Sequence, residues 1–359
     1  MAVFSSPSFA EHNLVQFCND PASGLRAIIA VHDTSLGPAC GGCRMWPYET
    51  EEDALRDVLR LSRGMSLKNA MAGLVLWGGK TVIIGDPKKD KSEALFRALG
   101  RFVEKIGGDY ITAEDVGTTV EDIETIGKET SYVAGLKHGG AASGDPSPMT
   151  AYGVFVGIRA AVKHKLGRDD LAGLRVAVQG LGHVGHTLCR HLADAGAKLV
   201  VTDIDADSVR RVVGDCGAEA TDSEAIYGAD VDIFAPCALG GGINDDTLPR
   251  LKASIVAGCA NNQLAEPRHD SALRDRGILY APDYVINGGG IINVAGEILG
   301  DYHRDAAMKR IGGIYDTLLE IFREADAEGR PTGEISDAIA FRRIEAGRAA
   351  RAQASKKVA

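Results

Sequence analysis

Two lysines, Lys68 and Lys80, lie twelve positions apart in a stretch that is otherwise mostly apolar or glycine-rich. Lys80 follows Gly78 and Gly79 and precedes residues 81–84, whose β-branched side chains predict a buried strand with Lys80 at its mouth. Burial and a second cation nearby both lower the pKa of a lysine, toward the range in which the neutral amine acts as a base. Paired glycines also let a small ligand approach the backbone. The stretch therefore favours base chemistry on a small molecule, with two surface lysines as the alternative.

An acidic turn follows the next predicted strand. Residues 110–113 are predicted to form a short strand, and Glu114 and Asp115 come directly after it. In α/β proteins, side chains just past the carboxyl ends of strands lie where ligands bind. Asp115 is therefore a candidate site residue, and the alternative is that it caps a helix beginning near Thr118 or Thr119.

A glycine fingerprint stands in the middle of the chain. Residues 175–179 predict a strand, which is followed by G-x-G-x-x-G, from Gly180 to Gly185, and then by a helix. In this motif the first glycine permits a tight turn, the second admits a pyrophosphate, and the third lets the helix pack on the strand. Asp203 ends the next predicted strand, eighteen positions after the last glycine, where a carboxylate binds ribose hydroxyls and repels a 2′-phosphate. The motif predicts a dinucleotide site that prefers NAD.

The elements around these motifs alternate between strands and helices, which predicts an α/β fold with a doubly wound sheet. Polar or glycine-rich turns at residues 236–238, 261–263 and 287–290 are predicted to end the later strands and to face the nicotinamide, or else to be ordinary turns. We expect the long helix, residues 303–327, to return the chain toward the first domain. The other predicted strands cover residues 14–18, 25–32, 198–202, 231–234, 254–257 and 277–280, and the other predicted helices cover residues 51–63, 92–106, 149–163 and 334–351.

Length and composition limit the classes of protein to consider. The 359 residues suffice for about two domains, and 45% hydrophobic with 25% charged residues is ordinary for a soluble enzyme. The net charge of −9 argues against binding to nucleic acid or to an anionic membrane. Neither a secretory signal nor an apolar run of ~18 residues is visible. Cys40 and Cys43 lack the second cysteine pair that a zinc site needs, so we expect no metal and interpret all seven cysteines as reduced thiols in a cytoplasmic protein.

Several long and specific strings run through nearly the whole chain. They are SGLRAIIAVHDTSLGPACGGCRMW, KNAMAGL, GGKTVIIGDP, ITAEDVGTTVEDI, SGDPSPMTAYGV, GLGHVGHTLCRHL, AGCANNQL and LYAPDYVINGGGIINVAGE. Together they resemble the leucine/phenylalanine/valine branch of the amino-acid dehydrogenase family, which also includes glutamate dehydrogenase. The resemblance implies NAD-dependent oxidative deamination of a branched-chain L-amino acid to its 2-oxo acid with release of ammonia, and the reverse reductive amination.

The resemblance also implies an architecture. A substrate-binding and oligomerisation domain of α/β type is expected over residues 1–140, with the helices of residues 330–359 packing back on it. A Rossmann-type dinucleotide-binding domain is expected over residues 141–329, with the active site in the cleft between the domains. The implied partners are an amino acid or 2-oxo acid and ammonia, without nucleic acid or membrane, and the chain is expected to form a homo-oligomer, either a dimer or an octamer.

Residue roles follow from the same resemblance. It implies that Lys68 binds the substrate carboxylate, that Lys80 is the general base that activates water, and that Asp115 carries protons to and from the amino group. Further substrate contacts are expected from Gly41, Gly42, Cys40, Ala113, Asn262, Ile291 and Val294. Cofactor contacts are expected from Gly180, Gly182, His183, Val184, Gly185, Asp203, Thr150, Cys237, Ala238 and Asn261.

Two positions depart from the family pattern. Trp77 occupies a position that is usually glycine in the family. If the backbone there has a positive φ, tryptophan would be strained; alternatively, the tryptophan ring would reshape the substrate pocket. Cys40 replaces a larger leucine, and it enlarges the substrate pocket if its side chain lines that pocket. An aromatic amino acid therefore stays open as the substrate. An inactive NAD-binding regulatory protein and a 2-hydroxy-acid dehydrogenase are further alternatives, and the presence of Lys68, Lys80 and Asp115 argues against both.

Overall fold

The computed structural model describes residues 3–35, 37–136, 145–300 and 302–358. The chain forms two compact units, each assembled from more than one segment. The first unit contains Met1–Asp145, Val294–His303 and Ala340–Ala359, and the second unit contains Pro146–Asn293 and Arg304–Ile339. In the described parts of the chain, no helix is both long enough and apolar enough to cross a membrane.

The first unit is built on a five-stranded sheet with the strand order β1-β2-β4-β3-β5. Its strands are β1 (Leu14–Asp20), β2 (Leu25–Val31), β3 (Ala39–Trp46), β4 (Trp77–Ile84) and β5 (Tyr110–Glu114), and its first helices are α1 (Glu51–Met71), α2 (Glu93–Glu104) and α3 (Val120–Ile126). Strand β2 is antiparallel to β1 and β4, whereas β3 is parallel to β4 and β5. The carboxyl ends of β3, β4 and β5 therefore meet at one edge of the sheet.

Helix α1 packs its apolar side on this sheet. It begins at Thr50, whose hydroxyl accepts a hydrogen bond from the backbone N–H of Asp53 at 3.1 Å. The helix runs to Met71, beyond the predicted end at residue 63, so that Lys68 is helical. The apolar cluster between helix and sheet contains Ile28, Ala30, Ala54, Leu55, Val58, Leu59 and Val82.

The first unit differs from the sequence prediction in three places. Lys80 is the fourth residue of β4 and does not stand at its mouth, because the strand already begins at Trp77. Strand β3 was not predicted, since its two glycines and its arginine interrupt the apolar pattern. Asp115 is not the helix cap, because Thr119 caps α3 through a capping box with Asp122.

The second unit is built on a six-stranded sheet in which all strands are parallel, in the order β11-β10-β9-β6-β7-β8. Its strands are β6 (Arg175–Gln179), β7 (Lys198–Thr202), β8 (Glu219–Ala220), β9 (Ile233–Pro236), β10 (Ile255–Val256) and β11 (Leu279–Tyr280). The strand order reverses between β6 and β9, and in doubly wound sheets ligands bind outside the carboxyl ends of the strands at such a point. The predicted Rossmann-type sheet is confirmed.

The helices of the second half of the chain complete the fold. They are α4 (Ser147–Leu166), α5 (His183–Asp194), α6 (Ala206–Cys216), α7 (Arg268–Asp275), α8 (Asp283–Ile286), α9 (Gly289–Ile298), α10 (Arg304–Gly312), α11 (Ile314–Glu328) and α12 (Thr332–Val358). The turn predicted at residues 287–290 does not end a strand, because it lies between α8 and α9. The single helix predicted over residues 303–327 is two helices, α10 and α11, interrupted at Gly313, since glycine is a poor helix former.

The compact units begin and end at other residues than the domains proposed from the sequence, whose division at residues 140 and 330 stays a prediction; residue 140 itself lies outside the described residues. The chain enters the second unit at Pro146, and both α10 and α11 lie in that unit and do not return to the first. Helices α9 and α12 are each divided between the units, after Asn293 and after Ile339. A boundary inside a helix carries no Pro- or Gly-rich linker, so composition could not indicate it.

Candidate active site

A lysine–aspartate pair joins the middle of β4 to the carboxyl end of β5 in the first unit's sheet. Nζ of Lys80 is 2.7 Å from Oδ2 of Asp115, and Lys80 is only 5% exposed. Asp115 follows β5, and β3 is the one strand that separates β5 from β4. The structure thus brings together the two residues that the sequence selected for proton chemistry. The partner of Lys80 is a carboxylate and not the second cation that the sequence predicts.

Glycines in β3 make room for this pair. A Cβ at Gly42 would lie 2.6 Å from Cβ of Asp115, and a Cβ at Gly41 would lie 1.8 Å from the carbonyl oxygen of Gly79. Side chains cannot occupy such short distances, so glycine is required at both positions. Ala113 on β5 is the register partner of Gly42 and completes this part of the face that carries Lys80.

Asp115 is held between two cations. Nε of Arg44 donates to the same Oδ2 at 3.1 Å, and Nη1 of Arg44 donates to Asp57 at 3.0 Å. The hydroxyl of Tyr48 donates to the same oxygen of Asp57 at 2.6 Å. Burial raises the pKa of Asp115, but Lys80 and Arg44 outweigh it and hold that pKa at about 2. The carboxylate is therefore ionised at neutral pH and fixed by two donors on one oxygen.

Sequence reasoning did not select Arg44, Asp57 or Tyr48. The sequence does contain one indication of Arg44, because Arg44 stands two residues after Gly42, and residues two apart on a strand share a face. This indication is usable only when β3 is recognised as a strand. For Asp57 and Tyr48, nothing in the local sequence separates them from ordinary surface residues.

Lys68 and Cys40 lie in the same unit. Lys68 is half-buried on α1, one turn after Met65, whose Cγ would be 3.3 Å from a Cβ at Gly41. Cys40 is fully buried in β3, and burial raises the pKa of its thiol to about 12. Cys40 is therefore a neutral thiol on the strand that carries the two glycines.

Trp77 begins β4 with its ring directed away from Lys80. Its backbone is outside the positive-φ region, so the condition under which the sequence predicted strain at this position is not met. Neighbouring residues on a strand face opposite sides, so Trp77 shares a face with Gly79 whereas Lys80 shares one with Gly78. The ring is 1% exposed and lies 5.6 Å from the guanidinium of Arg348. Trp77 therefore does not line the face that carries Lys80.

The glycine turn of the second unit lies between β6 and α5. Gly180 has φ +99°, and a Cβ there would lie 2.7 Å from backbone atoms of Cys237 and Ala238. A Cβ at Gly185 would lie 2.0 Å from the carbonyl oxygen of Gly180, whereas a Cβ at Gly182 would meet nothing within 4 Å. No side chain caps the start of α5, so its first backbone N–H groups face this open space. The turn fits a pyrophosphate group.

Asp203 follows β7 and contacts the same turn. Its Oδ2 accepts a hydrogen bond from the backbone N–H of Leu181 at 2.5 Å, and its Oδ1 accepts one from Asp205 at 2.9 Å. The half-buried carboxylate thus lies beside the glycine turn, which is the position from which such an acid reaches a ribose.

The remaining predicted residues are distributed over neighbouring elements. His183 and Val184 open α5, Cys237 and Ala238 follow β9, Asn261 and Asn262 follow β10, Thr150 lies on α4, and Ile291 and Val294 lie on α9. The amide of Asn287 donates to Oδ1 of Asn261 at 2.8 Å, and Asn262 has a positive φ of 52°. Ile291 belongs to the second unit and Val294 to the first. In the described residues, no group of three or more metal-ligating side chains occurs.

Comparison with known proteins identifies the family. A model described as Glu/Leu/Phe/Val dehydrogenase, dimerisation domain, matches residues 12–132. A second, described as Glutamate/Leucine/Phenylalanine/Valine dehydrogenase, matches residues 139–209 and 205–311. The leucine dehydrogenase of Geobacillus stearothermophilus is 57% identical over 351 residues, which cover 98% of this chain and 95% of that protein. The chain belongs to the Glu/Leu/Phe/Val dehydrogenase family.

Other members of this family are also similar. The valine dehydrogenase of Streptomyces virginiae is 49% identical over 336 residues, covering 93% of this chain and 94% of that protein. The crystal structure of L-tryptophan dehydrogenase from Nostoc punctiforme superposes with a TM-score of 0.81 at 48% identity, covering 94% of this chain and 96% of that one. The chain is therefore an amino-acid dehydrogenase, an oxidoreductase that acts on small molecules with a nicotinamide cofactor.

Proposed function

We propose that the chain catalyses the NAD-dependent oxidative deamination of branched-chain L-amino acids, namely leucine, valine and isoleucine, and the reverse reductive amination. The observation that carries this proposal is the Lys80–Asp115 contact of 2.7 Å on a buried strand, in a chain of this family. The reaction needs one group that activates water and one that exchanges protons with an amine, and this pair supplies both.

In the proposed mechanism, Lys68 binds the substrate carboxylate and so fixes the Cα–H and the amino group in place. NAD, when bound, supplies the hydride acceptor that oxidises Cα and leaves an iminium group on the substrate. Lys80, once it has given up its own proton, takes a proton from the water that attacks this carbon. Asp115 accepts that proton from Lys80 and passes it to the nitrogen. Lys80 then takes the hydroxyl proton as the C–N bond breaks, so that ammonia leaves and the 2-oxo acid remains.

The choice of NAD rests on Asp203. Its carboxylate braces the glycine turn through Leu181, so a 2′-phosphate near it would meet negative charge. We expect Asp203→Ser to lose part of the preference for NAD over NADP, which kcat/KM for the two cofactors measures. A wild-type enzyme that used both cofactors equally well would refute this part of the proposal.

The choice of a branched aliphatic side chain rests on two observations. The side chains proposed to surround the substrate's side chain are those of Cys40, Ala113, Ile291 and Val294. None of them is a cation that could pair with a second carboxylate, so bound glutamate would leave its side-chain charge unpaired. Relatives at 57% and 49% identity are named leucine and valine dehydrogenases. An aromatic substrate remains the second candidate, because the L-tryptophan dehydrogenase shares 48% identity.

A panel of L-amino acids with NAD, followed by NADH absorbance, tests this choice. We expect kcat/KM to be highest for leucine, valine and isoleucine, lower for phenylalanine and tryptophan, and negligible for glutamate. Hydrophobic discrimination among the aliphatic members should be modest, about 1–3 kcal/mol per methylene. A panel led by an aromatic amino acid would overturn the branched-chain preference, and one led by glutamate would overturn the apolar pocket.

We also propose that the chain is a homo-oligomer that contacts its copies through the first unit. This rests on the match of residues 12–132 to a domain described as a dimerisation domain. Light scattering during size-exclusion chromatography measures the subunit number directly, and a monomer at assay concentration would contradict the proposal. The cytoplasmic location stays a prediction from the sequence.

A further inference from the structure

Two cysteines lie together at the nucleotide edge of the second unit. Strands β9 and β10 are parallel neighbours in which Phe234 pairs with Val256, and Cys237 and Cys259 each come three residues later. The thiol of Cys259 donates to the carbonyl oxygen of Cys237 at 3.9 Å. The two cysteines follow neighbouring strands, and the 3.9 Å contact shows that they stay close beyond the strand ends. A disulfide requires ~4.4–6.8 Å between Cα atoms, so the cross-link needs at most a local adjustment of these two turns.

The thiol of Cys237 differs from the five thiols outside this pair in the direction of its pKa shift. Burial raises the pKa of Cys18 and of Cys40 to about 12, and it also raises the pKa of Cys43, Cys189 and Cys216. The hydrogen bond from Cys259 lowers the pKa of Cys237 against the opposing effect of burial. Both Cys237 and Cys259 are partly exposed, so a small oxidant can reach them.

The position of Cys237 links this pair to the nucleotide site. Its backbone N–H donates to the carbonyl oxygen of Gln179, the last residue of β6, at 2.7 Å. Its carbonyl group would lie 2.7–2.8 Å from a Cβ at Gly180, and its own Cβ would lie 3.6 Å from a Cβ at Gly185. Cys237 thus lies so close to Gly180 that only glycine fits there, and a displacement of the Cys237 backbone would change the space around the glycine turn.

We propose that Cys237 and Cys259 form a redox-sensitive dithiol, which a hydroperoxide converts to an intramolecular disulfide that weakens nucleotide binding. The Cys237 thiolate attacks one peroxide oxygen and breaks the O–O bond, giving a sulfenic acid; the other oxygen is protonated and leaves as water from hydrogen peroxide or as an alcohol from an organic hydroperoxide. The thiol of Cys259 then attacks that sulfur, forms the S–S bond and releases the sulfenic oxygen as water. The thiols lose two electrons and two protons, the hydroperoxide is reduced, and a dithiol reductant reverses the change. This inference rests on the nucleotide site of the proposed function.

The test compares the reduced and the hydrogen-peroxide-treated full-length chain. Peptide mapping by mass spectrometry locates any cross-link, and NADH fluorescence titration measures the dissociation constant. We expect a Cys237–Cys259 cross-link and a dissociation constant raised about tenfold, within the range typical of coupled sites. Dithiothreitol should restore the original value. Cys259→Ser should bind NADH normally and resist the treatment, whereas Cys216→Ser, the matched control, should respond like the wild type.

Three results would overturn the inference. They are the absence of the cross-link, a cross-link that leaves NADH affinity unchanged, and an equal loss of affinity in Cys259→Ser. Mass spectrometry detects the cross-link without any nucleotide, so its absence is distinguishable from a failure of the proposed function. If the proposed function is wrong, the reduced chain binds no NADH before any oxidant is added, and both the proposed function and this inference fall.

Discussion

The two sheets hold their candidate functional carboxylates at the same kind of place, the carboxyl ends of parallel strands, but by different means. In the first unit, Asp115 is half-buried and receives two side-chain cations, Lys80 and Arg44. In the second unit, Asp203 receives only backbone N–H groups in its described hydrogen bonds, and Gly182 leaves open space. Proton chemistry needs charges fixed against each other, whereas nucleotide binding needs room and backbone donors. Substitutions in the two units should therefore have separable effects.

The largest effect is expected for Lys80→Ala. Removing a general base typically lowers turnover by ~10²–10⁴-fold, and NADH affinity should stay unchanged because the residue lies in the first unit. Stopped-flow turnover and fluorescence titration of NADH measure the two quantities. Lys89→Ala is the matched control, since that side chain is 79% exposed, and it should keep the wild-type rate. A Lys80→Ala enzyme with normal turnover at saturating substrate would remove the residue from the chemistry.

A smaller effect, mainly on KM, is expected for Lys68→Ala. Loss of a charge-assisted contact to a carboxylate costs roughly 1.5–3 kcal/mol, so KM for the amino acid should rise by about 10- to 100-fold. Some loss of kcat should accompany it because the contact also orients the substrate. Arg60→Ala, an exposed position on the same helix, serves as the control. An unchanged KM would exclude Lys68 from the site.

The corresponding change in the second unit is Gly182→Ala. The added Cβ meets no protein atom, so the melting temperature should not change, but it would stand where the pyrophosphate is expected. We expect NAD affinity to fall about tenfold, equivalent to ~1.4 kcal/mol. Gly214→Ala, a helical glycine that also has open space, should leave affinity unchanged. Normal NAD binding by Gly182→Ala would show that the nucleotide does not use this turn.

The smallest effect is expected for Arg44→Gln. The pKa of Asp115 is lowered to about 2, so removing one of its two cations should raise that pKa. The carboxyl group of Asp115, followed by NMR titration, should then take up its proton at higher pH, with only a few-fold loss of turnover at neutral pH. Arg44→Lys, which keeps the charge, should shift this titration less. An unchanged titration would mean that Arg44 has no influence on Asp115.

The second unit was the more predictable from the sequence. Strand β6 was predicted with its observed bounds, because a β-branched run ends abruptly at Gly180. The glycine fingerprint and Asp203 lie in consecutive elements, so their spacing in the sequence is enough to predict that they belong to one site. The sequence did not predict the helix break at Gly313 or the division of α9 and α12 between the units, because these features depend on tertiary packing and not on local sequence.

The first unit was less predictable for a physical reason. Lys80, Arg44 and Asp115 come from three strands, and their contacts depend on the order β4-β3-β5, which no local pattern encodes. Strand β3 was hidden because the close approach at Gly41 and Gly42 demands glycine, a residue that weakens the strand signal. The resemblance to the family selected Lys80 and Asp115, but the network behind them appeared only in the fold.

The measurement that most directly tests the account is the stoichiometry of products from L-leucine and NAD. Oxidative deamination by the proposed mechanism predicts equal amounts of NADH and free ammonia, with the 2-oxo acid as the third product. The wild-type enzyme should show this ratio throughout the time course, and Lys80→Ala should produce almost none of the three. Formation of NADH without ammonia, or no NADH from any L-amino acid, would contradict the account.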